Sequence, residues 1–369
     1  MTFITCSEVA GEAEARPRRV AGQIDERLLT LAEGRRVLTE LDPLLFALVY
    51  LPHHLRGPET GDAISFSGAH FEWCELAQRY IRPINTFEHG DLRDAIIAPR
   101  GLGKSTWWFL IFPMWMASHG HRSFLAAFAN CDTQATDHSG TFKREIVTNA
   151  LLRYDFPKLC APARRPTGVS ISDSQRMCIA ESGFVFTGRG IDSQVLGLKI
   201  GSRRPDHIIL DDIEGTKGNY SANQKVSRLK TLVSGILPMN NKAPVMMAGT
   251  VAIPGAIVDD IAAKQRGEQY PAWVDDERFT PRYFDVIQTD ERGNERSLWP
   301  ERWSMDWIST VRHTRQFQIR CATTRWPLTP PSGSVRTSWS APAWRSRTSW
   351  KIRRGLMGMW RMGAACFGI

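Results

Sequence analysis

Four short apolar runs punctuate the middle of this chain: Ala95–Ala98, Ser123–Ala129, Ile208–Leu210 and Val245–Ala248. None alternates strictly with polar residues, so each is expected to be a core strand buried on both faces, as in a parallel sheet. Phe184–Thr187 predicts a further short strand or hairpin arm. Trp107–Ala117 is the most apolar segment and reads as a helix packed on most sides; it is too short to cross a bilayer and contains Pro113. Thr133–Leu152 has helical composition and spacing, with Asp132 as its expected cap. Residues 188–201 are rich in glycine and predict a flexible loop. Strands separated by helices and long connections give the expected fold class: α/β, with a mainly parallel central sheet flanked by helices.

The same patterning divides the chain. Residues 1–40 are polar and charged, the expectation being a flexible N-terminal arm. Residues 41–88 alternate apolar clusters with a Gly-Pro-Glu-Thr-Gly-Asp loop at 57–62, predicting a helical entry region. The α/β domain spans 89–300, a linker 301–318, and a basic tail of low order 319–369. No internal repeat is present.

Candidate chemistry sits at the ends of two of the predicted strands. The stretch AIIAPRGLGKST, residues 95–106, has the order strand, glycine-containing turn, helix. In such a loop, formed by Pro99, Arg100, Gly101, Leu102, Gly103, Lys104, Ser105 and Thr106, the backbone N–H groups that follow the proline converge on phosphate oxygens. Lys104 adds a point charge between the β- and γ-phosphates, and Ser105 offers a hydroxyl to Mg²⁺. The implied ligand is a nucleoside triphosphate. The strict pattern G-x-x-x-x-G-K-[ST] asks for Gly where this chain has Ala98. The second element is HIILDDIE, residues 207–214, a strand ending in adjacent carboxylates. Two such acids side by side are costly without a cation between them. Asp211 is expected to hold Mg²⁺ and either Asp212 or Glu214 to activate water.

With these motifs in place, the chain resembles the ATPase motor of phage terminase large subunits along most of residues 40–318. The resemblance rests on APRGLGKST, IILDDIE, the preceding RGIDSQVLGLKIGSRRPDH, VMMAGT at 245–250 and LWPERWS at 298–304. It implies a P-loop NTPase of the additional-strand class that uses ATP and Mg²⁺ to drive double-stranded DNA into a procapsid. The implied partners are the terminase small subunit, the portal protein and further copies of the chain in a ring. The host cytoplasm is the implied setting, with no membrane. It further implies a charge-stabilising role for Arg100 or for an arginine of a neighbouring subunit, coupling through Gly249 and Thr250, and adenine contacts near His70, Phe71 and Glu72. Two other readings stay open: a helicase-like P-loop ATPase, and a prophage remnant that binds nucleotide without turnover.

Composition narrows this picture. Seven cysteines, Cys6, Cys74, Cys131, Cys160, Cys178, Cys321 and Cys366, are odd in number and lack C-x-x-C spacing, which argues against a disulfide framework or zinc site and for a reducing compartment. The N-terminus has no long apolar core of the secretory kind. The net charge of +9 is misleading about the body of the chain. No acid follows Asp306, whereas eleven Arg and Lys residues do; residues 1–306 then hold 36 basic against 38 acidic residues, a net of −2. Any DNA contact by the body must use local basic loops, for which Arg203, Arg204, Lys225, Arg228 and Lys230 are candidates.

From about Ile319 the sequence mixes Arg, Ser, Thr, Pro and Trp, including Trp326, Trp339, Trp344, Trp350 and Trp360, without helical or strand periodicity. A terminase would carry here an acidic two-metal nuclease, which needs clustered carboxylates, and this tail has none. Endonuclease activity is therefore not expected. A frameshift near residues 318–322 is the expected origin of this change in character, the alternative being a genuine basic arm for DNA. Translation of the underlying DNA in the other two frames is expected to give a carboxylate-bearing continuation, and a lack of one in both would contradict the frameshift.

Overall fold

A computed structural model describes residues 26–56, 65–88, 90–193, 198–215, 221–289 and 293–312. The predicted tail and the 57–62 loop lie outside these residues. The chain divides into two units, one formed by its two ends and one spanning Arg35–Trp326. In the first, the helix Glu26–Thr30 is described. The second holds the sheet and the candidate chemistry.

Nine strands are described: β1 (Arg93–Ile97), β2 (Phe124–Ala129), β3 (Met177–Ile179), β4 (Val185–Gly190), β5 (His207–Asp211), β6 (Val245–Gly249), β7 (Thr280–Tyr283), β8 (Ile287–Thr289) and β9 (Glu295–Ser297). The first seven form one sheet in the order β3-β4-β2-β5-β6-β1-β7. All neighbours are parallel except β3 and β4. Every residue of β1, β2, β5 and β6 is buried, so the four apolar runs are core strands, as their lack of alternation predicts.

The register fixes which loops meet. Ile97 pairs with Gly249, Asp211 with Ala248 and with Ala129, and Ala129 with Gly190. The carboxyl ends of five strands therefore share one edge, where ligands of open α/β sheets bind. One strand, β6, lies between β1 and β5.

Helices cover the sheet. Inward residues of the strands, among them Ile97, Phe128, Leu210 and Met247, pack with Leu232, Ile236, Ile257 and Ile261 in one apolar cluster. The helix Ile257–Arg266 lies along β1 and β7, and Asp132–Thr148 along β2 and β4. The segment after the β1 loop is helical, as expected, but Thr106–Ile111 is π-helical before Phe112–Ser118 continues as α-helix. Pro113 gives the physical reason: it has no N–H to donate back four residues and its ring crowds the preceding turn, so the turn widens and Phe112 N–H reaches Trp107 O.

Four expectations are corrected. Asp132 does not cap its helix; Cys131 holds the N-cap position, and Asp132 Oδ1 accepts instead from Gly190 N–H at 2.8 Å and Ser193 Oγ at 2.5 Å. The helix expected over Thr133–Leu152 breaks at Asn149, whose side chain caps a second helix, Ala150–Asp155. Gly188 and Gly190 belong to β4 instead of a flexible loop, because a Cβ at either would strike Ser139 Oγ at 2.0 Å or Asp132 N at 2.5 Å. They are glycines so that a helix can lie close. Within the range expected to be a flexible arm, the helix Ala32–Thr39 is formed, and its Arg35 pairs with buried Asp155 at 2.7 Å.

Gly249 plays the same part at the shared edge. A Cβ there would meet Val258 Cγ2 at 2.7 Å, and the β-branched Val258 has little rotamer freedom in a helix. Gly249→Ala should therefore destabilise the protein by about 1–3 kcal/mol through overpacking. Urea unfolding checks this, and an unchanged midpoint would contradict the close packing.

Candidate functional site

The loop between β1 and the following helix, residues 98–103, closes through two glycines with positive φ, Gly101 at 86° and Gly103 at 87°. Both angles favour glycine over any L side chain. Ala98 is different: among the described residues the non-glycine positive-φ positions are Asp212 and Arg278. Ala98 therefore needs no glycine, and the departure from the strict pattern costs the backbone nothing. Its N–H donates to Gly249 O at 3.1 Å, tying the loop to the end of β6.

Lys104 is buried, at 7 % exposure, and folds back onto its own loop. Its Nζ donates to Ala98 O at 2.8 Å, Pro99 O at 3.1 Å and Thr250 Oγ1 at 2.9 Å. Thr250 Oγ1 in turn donates to Ala98 O at 3.0 Å. Burial lowers the Lys104 pKa, while Asp212 and Asp211 act in the opposite sense. One residue along, Ser105 Oγ donates to Asp211 Oδ2 at 2.8 Å. The two motifs predicted to share a ligand are therefore in contact, brought together by residues 106 positions apart in sequence.

Asp211 is fully buried, and its Oδ1 has no hydrogen-bond partner among the described residues. A buried carboxylate oxygen without a donor is costly and calls for one or for a cation. His138 Nε2 stands 3.2 Å from Oδ2, within ion-pair distance but without hydrogen-bond geometry, so we count it as a neighbour rather than a bond. Asp212 adopts φ 41°, a left-handed conformation that costs an L residue of order 1 kcal/mol or more and gathers at functional sites. Its pKa is raised, first by burial and then by the adjacent Asp211 charge. Lys104, Ser105 and Asp211 make a donor set of ammonium, hydroxyl and carboxylate, which suits a phosphate-bound hard cation. On this test the residues fit ATP and Mg²⁺.

Glu214 is placed otherwise. Its Oε1 accepts from Ile257 N–H and its Oε2 from Val258 N–H at 3.1 Å, so the carboxylate caps the N-terminus of Ile257–Arg266. A cavity of about 190 Å³ opens beside these groups, lined by Asp212, Glu214, Thr250 and exposed Arg100, and also by Asn130 and Gln134. Asn130, Gln134 and His138 are absent from the sequence-based set. Their signal was positional: they follow the strand β2, whose carboxyl end belongs to the same edge.

The segment upstream of the loop has a structural part. His70 lies on the helix Gly68–Tyr80, accepts from Ser67 N–H at Nδ1 (3.0 Å) and therefore donates from Nε2 to Leu102 O at 2.8 Å. Its ring stacks on Trp107 at 5.3 Å and meets Trp299 edge-on at 4.8 Å. Trp299 belongs to LWPERWS, whose Arg302 and Trp303 approach Gly101 to 3.6 Å of where a Cβ would stand. Phe71 and Glu72 lie on the same helix, and Glu72 faces Arg282 at 3.7 Å.

Among the basic candidates, Arg228 is corrected. It is buried and bonds Asp192, Asn130 and Ile213 O, joining the loops after β4, β2 and β5. Arg203 donates to Gly183 O, Arg204 to Met239 O, and Lys225 pairs with Asp260 at 2.6 Å. Lys230 is exposed. Compared with known proteins, the chain matches no family model and no curated protein.

Burial pushes the His70 pKa down from 6.5 to about 4, ahead of the opposing bond to Leu102, and the Arg302 charge lowers it further. The unfolded chain therefore binds a proton near pH 6.5 that the folded chain refuses until about pH 4. Stability is complete above that window and falls through it on acidification, by about 3 kcal/mol at its foot. Chemical unfolding of His70→Gln should show a correspondingly flatter pH dependence between pH 6.5 and 4; an equal slope in both proteins would contradict the buried neutral imidazole.

Proposed function

We propose that the chain is an ATP-hydrolysing enzyme of the P-loop, additional-strand kind, the motor subunit of a phage terminase. The observation that carries the reading is the 2.8 Å contact between Ser105 and Asp211, with Lys104 beside it and Asp211 Oδ1 unpartnered. The position of β6 between β1 and β5 supports the additional-strand assignment. Ser105 and Asp211 would hold Mg²⁺, which when bound supplies charge neutralisation at the β- and γ-phosphates.

Lys104, Gly101, Leu102 and Gly103 bind and orient the triphosphate, the lysine exchanging its carbonyl partners for phosphate oxygens. Asp212 faces the cavity and accepts the proton of the attacking water; burial raises its pKa towards the range a general base needs. Glu214, with both oxygens on helix N–H groups, transmits the state of the site to Ile257–Arg266. Thr250, bonded to Lys104, registers the lysine's movement, and Gly249 keeps the adjoining helix close. Arg100, exposed on the cavity wall, stabilises charge on the transferring phosphoryl group. Duplex DNA, the small subunit, the portal and a ring of like subunits belong to this proposal through the resemblance. Among the described residues no helix is long and apolar enough to cross a membrane.

Phosphate release by the full chain, with and without duplex DNA, tests the reading. Lys104→Ala and Asp211→Asn are expected to reduce turnover by at least about a hundredfold, the scale of losing one electrostatic stabiliser; retained turnover in both would overturn the site.

Asp212→Asn should lower kcat by at least about a hundredfold with ATP binding kept, and Glu214→Gln by less than about tenfold. The reverse order would transfer the base to Glu214. ATP binding by the unaltered chain without phosphate release under any of these conditions would favour the nucleotide-binding remnant.

A further inference from the structure

Away from the nucleotide edge, two imidazoles and a carboxylate converge. His53 and His54 occupy the short 3₁₀ turn Pro52–His54, and Glu145 comes from the helix Asp132–Thr148. Both His Nε2 atoms stand 2.9 Å from Glu145 Oε1. One ligand atom from each of the three lies within 4.8 Å of the others. Neighbouring residues on a 3₁₀ turn point about 120° apart by its geometry. That both rings nevertheless reach one carboxylate oxygen, with centroids 4.4 Å apart, is a convergence the local backbone does not supply.

The surroundings suit a metal ion better than an ordinary ion pair. Glu145 is buried at 5 % exposure, and the partners recorded in its ion pairs are these two histidines. Its other oxygen, Oε2, accepts from Asn149 Nδ2 at 3.0 Å, and the same nitrogen donates to Tyr50 O at 2.7 Å. The carboxylate is thus oriented by an indirect contact of the kind that fixes metal-binding carboxylates. His53 is half exposed, at 51 % of its side chain, and His54 at 25 %, so one side is open to water.

We infer that His53, His54 and Glu145 form a binding site for a zinc-class divalent cation. Two imidazole nitrogens and one carboxylate oxygen are a ligand set used by tetrahedral zinc with a solvent molecule in the fourth position. With bonds of about 2.0–2.1 Å, tetrahedral ligand atoms stand roughly 3.3 Å apart, so the present spacing needs only side-chain adjustment. Borderline metals such as Zn²⁺ and Co²⁺ suit imidazole, whereas Mg²⁺ prefers oxygen ligands, which separates this site from the nucleotide site. A bound ion would fasten the Pro52–His54 turn to the long helix that follows β2.

Co²⁺ and Zn²⁺ binding to the full chain tests this, with His53→Ala and His54→Ala as variants. His53 is exposed enough that its removal should leave the fold intact, which circular dichroism checks. The unaltered chain should bind one more equivalent than either variant, or bind its tightest equivalent at least about tenfold more strongly, the scale on which even indirect contacts alter metal affinity. Co²⁺ should also give visible tetrahedral bands that both variants lack. Equal stoichiometry and equal affinity in all three proteins would overturn the site, as would Co²⁺ bands that survive in both folded variants. ATP turnover plays no part in the readout, so this result and that of the nucleotide site are independent.

Discussion

The site depends on keeping a carboxylate, Asp211, fully out of water at the end of a parallel strand. An isolated buried charge is expensive by several kcal/mol, so something must answer it. Ser105 answers one oxygen, and among the described residues no hydrogen-bond donor answers the other. The lysine, the hydroxyl and the second aspartate are arranged around that imbalance. The register of β1, β5 and β6 produces the arrangement, because it delivers Ile97, Asp211 and Gly249 to one edge.

Close backbone approach recurs as the means by which loops are held to this edge. Gly249 admits Val258, Gly190 admits the start of Asp132–Thr148, and the positive φ of Gly101 and Gly103 turns the loop after β1. Arg228 performs the complementary task with charge, linking the loops after three strands through one guanidinium, whose planar fork suits several fixed acceptors at once. His70 holds the loop after β1 through Leu102 O, as a neutral ring between Trp107 and Trp299. The site is therefore hydrogen-bonded on the side of the loop carbonyls and open on the side of Arg100.

Much of this was legible in the chain. Continuous apolar runs identified the core strands because a parallel strand buried on both faces has no polar side to display. The loop and the paired acids could be placed because their chemistry depends on short spacing. What could not be read depended on distant partners. Asp132 looked like a cap, yet Gly190 and Ser193, at the end of the neighbouring strand, claim its carboxylate. Arg228 looked like surface charge until Asp192 and Asn130 enclosed it. Asp212 and Glu214 were equivalent on paper, and only the approach of the Ile257–Arg266 helix separates them. The pairing of His53 and His54 with Glu145 links residues 92 and 91 positions apart and has no local signature.

The central claim is that Ser105 and Asp211 meet in order to share an ion with a triphosphate cradled by Lys104. A crystal structure with Mg²⁺ and a non-hydrolysable ATP analogue measures this most directly. The account predicts the cation against Ser105 Oγ and the analogue's terminal phosphates against Lys104 Nζ. Nucleotide bound elsewhere, with the bond between Ser105 and Asp211 and the lysine's carbonyl contacts unchanged, would contradict it.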